Sequence, residues 1–177
     1  MQLLARQKAY SVQAPQGSFV IAADTLVLGP QGLMGKPRDG AEAESMLALL
    51  GGQRHTVLTG VCVLGPGGAE AMEVSRSTVV MKPVSATEIA SYVATGEPLD
   101  KAGGYALQGG ASDFVEKVIG RVDTVVGLDV SAVFRLLCEV GYPVPLPAAT
   151  DISRETRRLR RPAMSVSRKR TPNMSKV

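Results

Sequence analysis

The chain has 177 residues, 45% of them hydrophobic, which is enough for one ordinary core and so one main domain. Its formal charge of +4 is unevenly placed: residues 151–177 hold nine Lys/Arg against two Asp/Glu, leaving eleven against fourteen in a mildly acidic body. The apolar runs are all too short for a membrane-spanning helix, and the two cysteines, Cys62 and Cys138, cannot make a disulfide framework; a cytoplasmic protein with both thiols buried is expected.

In chain order, residues 2–13 suit a short helix carrying Lys8, stopped by Pro15 and Gly17. Residues 18–28 are nearly all apolar and predict a strand covered on both faces. Asp39 with Glu42 reads as a capping box for a helix over 40–50, closed by Gly51-Gly52. Thr56–Leu64, the Pro66-Gly67-Gly68 turn and Met72–Met81 predict a hairpin. Ser85 with Glu88 repeats the capping signature for a helix that Gly96 ends, residues 100–112 form a glycine-rich loop or bulged strand, 113–119 a strand and 130–140 a closing helix. This alternation predicts an α/β fold, a mixed sheet with flanking helices, over residues 1–144. From Pro145 onward Arg, Ser, Pro and Thr dominate, and disorder is expected over 145–177 because so little apolar surface could offset the ordering entropy.

The candidate chemistry begins at Asp24-Thr25, placed by the sequence at the end of the apolar run Phe19–Ala23, at the mouth of a strand. Cleaving a phosphoanhydride needs a positioned water, a carboxylate to take its proton or hold a divalent cation, and positive charge around the phosphate oxygens. Asp24 supplies the carboxylate, while Lys36 in Gly35-Lys36-Pro37 and Lys101 in Asp100-Lys101-Ala102-Gly103-Gly104 supply ammonium groups beside glycine, with Lys8 as a third. Taken singly these signals are weak: an aspartate often caps a turn, a lysine is usually solvated, Gly103-Gly104 is usually a turn, and Gln108 could simply satisfy a strand edge. His55 is the only histidine, best read as a hydrogen-bonded structural imidazole, and with two scattered cysteines it makes no zinc site.

In order, Ala22-Ala23-Asp24-Thr25-Leu26-Val27, Gly35-Lys36-Pro37, the stretch Gly51–Gly60, Gly96–Tyr105 and Leu107-Gln108-Gly109 closely resemble the Maf family of nucleoside triphosphate pyrophosphatases, over about residues 3–141. The resemblance implies hydrolysis of a nucleoside triphosphate to the monophosphate and pyrophosphate, on a fold similar to inosine triphosphate pyrophosphatases. It implies a divalent cation, magnesium or manganese, with Asp24 and Asp100 as its protein ligands. Asp24 would be the proton acceptor, Lys36 and Lys101 would contact phosphates, with Lys8 kept as the third candidate from the residues themselves, and Thr25 and Gln108 look like the subgroup acting on dTTP and UTP. A homodimer is implied as well.

Departures from the family pattern set further expectations. Family members begin with a strand and a Ser-x-Ser-Pro-Arg-Arg loop, and this chain starts beyond both, so the first strand is expected to be missing and turnover to be weakened. Thr124 and Asp129 replace an asparagine and a proline of the family pattern, which is expected to loosen the lead into the last helix. A catalytically inactive nucleotide- or partner-binding relative is the alternative. Nucleic-acid binding by the tail, through Arg157, Arg158, Arg160, Arg161, Arg168, Lys169 and Arg170, is disfavoured because no aromatic residue is interleaved for stacking.

Overall fold

β-Branched and apolar runs build the sheet. In a computed structural model, which describes residues 1–143, β1 (Val20–Gly29), β2 (Gly32–Met34), β3 (Arg54–Leu64), β4 (Glu70–Met81) and β5 (Val115–Ile119) form one five-stranded sheet in the order β2-β1-β3-β4-β5. The α/β architecture expected from the sequence is present, and its strands pair antiparallel at every step. The helices are α1 (Gln2–Ser11), α2 (Gly40–Leu50), α3 (Ala86–Val93), α4 (Val122–Val126) and α5 (Val130–Glu139). The expected disordered tail and its basic clusters lie outside the described residues.

Strand alternation divides the helices between two faces. On one face α1 lays Ala5 and Ala9 against Cys62, Val20, Ala22 and Leu64. The approach is so close that a Cβ on Gly60 would sit 2.8 Å from the Met1 carbonyl carbon, and glycine is the residue that admits it. On the other face α5 packs Val133, Leu136 and Leu137 onto Val61 and Val63, and α2 and α3 pack Leu47, Leu50, Ile89 and Tyr92 around Val27, Val57 and Val79.

The caps are only partly those expected. At α3 the Ser85 side chain accepts from Glu88 N–H while Glu88 accepts from the Ser85 backbone, a complete box. At α2 Asp39 accepts from Glu42 N–H, but Glu42 turns back to the Arg38 backbone and guanidinium instead of closing the box. Residues 100–112 take the first of the two forms expected, a loop, with short 3-10 turns at Ala102–Gly104 and from Gly110, and not a bulged strand. Strand β2 and helix α4 were not anticipated, because three and five residues are too short to show a period.

Three further expectations are corrected. Strand β1 is not covered on both faces: Val27 is its one fully buried residue, and Ile21 is 45% exposed. Since β2 pairs only with Val27–Gly29, the rest of that edge of β1 has no strand partner among the described residues. Asp24 consequently lies in mid-strand beside an open sheet edge, not at a strand terminus. Cys62 is buried as expected, whereas Cys138 is exposed, because α5 turns its core face through Val133, Leu136 and Leu137.

Candidate active site

Register places the acid. Asp24 faces Gly60 across the β1–β3 ladder and Thr25 faces Thr59, and successive strand residues point to opposite sides of a sheet. Asp24 therefore projects on the α1 side, where its carboxylate accepts from the Lys8 ammonium. The Asp24 side chain is 16% exposed and that of Lys8 57%, so the acid is sheltered while the cation reaches solvent.

A second charge group lines the same cavity. Lys36 and Lys101 both engage the Asp100 carboxylate, Lys101 at 3.4 Å. The Lys36 ammonium, then that of Lys101, holds the Asp100 carboxyl below its ordinary range. The two loops are also stitched through backbone, with Gly103 N–H donating to Gly35 O at 2.9 Å. Gly103 takes φ +72° there, with Val27 methyl carbons packed where a side chain would go. The loop bearing Gln108 is anchored on both sides, by Ala106 N–H to the Tyr92 hydroxyl at 3.0 Å and Gly110 N–H to Glu97 at 2.9 Å.

Thr25 points to the opposite face, into a buried polar chain. Its Oγ1 lies 2.8 Å from Thr59 Oγ1, and the Thr59 hydroxyl donates at 2.7 Å to the backbone oxygen of Thr124 in α4. Thr124 and Asp129 do not loosen the lead into α5. Thr124 Oγ1 bonds the Asp129 carboxylate at 3.3 Å, and Asp129 caps α5 by accepting from Ala132 N–H at 2.9 Å. Burial pushes the Asp129 carboxyl up, but Ser75, the Ala132 N–H, Arg121 and Thr124 together hold it below its ordinary value.

His55 is the structural imidazole expected. It is 3% exposed, its Nε2 lies 2.7 Å from the Tyr105 hydroxyl, and burial lowers its pKa to about 4. Tyr105 in turn forms part of the cavity wall, so His55 braces that wall from behind.

Asp24, Thr25, Lys8, Lys36, Asp100, Lys101 and Gln108 all line one cavity of about 630 Å³ at the open edge of β1, a size suited to a small polar ligand. The structure thus brings together every site residue expected from the sequence. It adds Tyr105, Glu97, Val125 and Val126, which sequence reasoning missed. Tyr105 and Glu97 stood inside recognised motifs, while Val125 and Val126 belong to the unanticipated α4. Among the described residues no group of three or more His, Cys, Asp or Glu side chains forms a metal cage, and no helix is long and apolar enough to cross a membrane.

A family model described as Maf-like protein matches residues 1–140. The chain belongs to the Maf family. Maf relatives named dTTP/UTP pyrophosphatase include one from Anaeromyxobacter sp. (strain Fw109-5), 48% identical over 149 residues that cover 82% of this chain and 71% of the relative. Another, from Koribacter versatilis (strain Ellin345), is 43% identical over 141 residues, covering 79% and 72%. A third, from Geobacillus sp. (strain WCH70), is 42% identical over 144 residues, covering 80% and 76%.

Proposed function

We propose that this Maf-family chain is a hydrolase cleaving dTTP and UTP, with modified pyrimidine triphosphates, to the monophosphate and pyrophosphate. The observation that carries the reading is the convergence of one sheltered carboxylate, Asp24, with the ammonium groups of Lys8, Lys36 and Lys101 on a single cavity. The names of the relatives support the substrate. A triphosphate entering the cavity competes with Asp24 and Asp100 for these lysines. As Lys8 turns to phosphate, the Asp24 carboxylate is released to orient a water and accept its proton while the lysines stabilise the leaving pyrophosphate.

Two carboxylates on one cavity fit a magnesium or manganese ion escorted by phosphate, because such ions are commonly held by one or two carboxylates, substrate oxygens and waters. Asp24 and Asp100 would hold it, and when bound it would neutralise charge on the phosphates. A homodimer and a cytoplasmic location complete the proposal, the first from the family resemblance and the second from unpaired Cys62 and Cys138, typical of a reducing compartment. The test is pyrophosphate release across the nucleoside triphosphates, with release from dTTP and UTP expected. Asp24→Asn is expected to lower kcat by about a hundredfold or more; equal turnover by that variant would remove Asp24 as the proton acceptor.

A further inference from the structure

Thr59 is fully buried, touches no part of the cavity, and yet is bonded to Thr25, which lines it. A hydroxyl has one proton to give and lone pairs to receive with. The proton of Thr59 is committed, because its partner at 2.7 Å is the Thr124 carbonyl oxygen, which only accepts. Among the described residues that carbonyl takes no donor from the turn that follows it: at the end of α4 the N–H groups of Gly127 and Leu128 both return to Asp123 O. Of the 2.8 Å contact between Thr25 and Thr59, Thr25 must therefore be the donor. Its own proton is then spent inside the protein, and Thr25, a residue of the cavity wall, is left with lone pairs alone.

We infer that Thr59 is a positioning residue for base selection: by consuming the Thr25 proton it makes Thr25 an obligate acceptor, matched to the ring imide N–H of a uracil- or thymine-type base. Cytosine carries a lone pair on the corresponding ring nitrogen, and two facing acceptors repel. This rests on the pyrimidine-triphosphate reading above and deepens it. Without the Thr59 hydroxyl, the Thr25 hydroxyl would rotate freely and serve either base.

The experiment measures binding of the uridine and cytidine α,β-imido triphosphates, which cannot be cleaved at the relevant bond, by calorimetry on the intact chain. Wild type is expected to favour the uridine analogue by about tenfold or more. Thr59→Val, nearly the same shape without the proton acceptor, should bring the ratio close to one mainly by improving cytidine binding, while Thr59→Ser should keep the wild-type ratio. In a Thr25→Val background, Thr59→Val should change nothing. A wild-type ratio retained by Thr59→Val, or an effect of Thr59→Val that persists without the Thr25 hydroxyl, would overturn the inference, as would failure to bind either analogue. Should Thr59→Val not fold, Thr59→Ala reads the same ratio. Selective binding without pyrophosphate release would sink the hydrolytic reading and leave this one standing.

Discussion

Asp100 carries two lysines on a loop open to solvent, an arrangement that stabilises the fold little, since exposed ion pairs are screened and cost side-chain entropy. Its consequence is pre-positioning: Lys36 and Lys101 come from segments 64 residues apart and one residue apart from Asp100, and the carboxylate gathers both beside the cavity. Lys36→Met or Lys101→Met is expected to lower kcat/KM for UTP by about a hundredfold, with little change in melting temperature; a large loss of stability with unchanged kcat/KM would contradict it. Lys36, Asp100 and Lys101 were legible in the sequence because they sit in short motifs with glycine close by, and Asp24 because it is the one carboxylate in an apolar run. The role of Thr59 was not, and Thr124 was read only as a departure that would loosen α5, because what both do depends on the β1–β3 register and on a five-residue helix, neither of which leaves a periodic signal.

At the scale of elements, α1 owes its position to Gly60, and through α1 so does Lys8. Gly60→Ala is expected to push the start of α1 off the sheet, destabilising by about 1–3 kcal/mol in chemical denaturation and raising KM more than the stability loss alone would. Ser85→Ala removes one arm of the capping box at α3 and should cost about 1 kcal/mol with activity intact, because α3 lies behind the cavity wall and not in it. Both capping residues were readable from local spacing. The partner of Glu42 was not: Arg38, four residues before it, offers a backbone N–H and a guanidinium together and outcompetes the Asp39 backbone. Nor could the apolar run of β1 disclose its exposure, since a strand is equally apolar whether or not a neighbour covers its edge.

For the molecule as a whole, the buried imidazole sets a pH dependence. His55 has its folded pKa lowered to about 4 from an ordinary 6.5, so between those values the unfolded chain binds the extra proton. The stability it contributes is complete above the ordinary value and is lost as pH falls through the folded one, by about 3 kcal/mol. His55→Gln keeps a partner for Tyr105 but cannot titrate. Urea melts from pH 7 down to 4 should therefore fall less steeply for the variant than for wild type, and parallel slopes would refute the assignment. A last consequence comes from Asp24 and Thr25 standing next to each other on β1 while serving opposite sides of the sheet. One extra residue spliced between them would turn one of the two pairs of contacts inside out, and a shift of the strand by a single step would exchange their surroundings. The spacing of these neighbours therefore admits replacement of either side chain but tolerates no change in the count of residues between them.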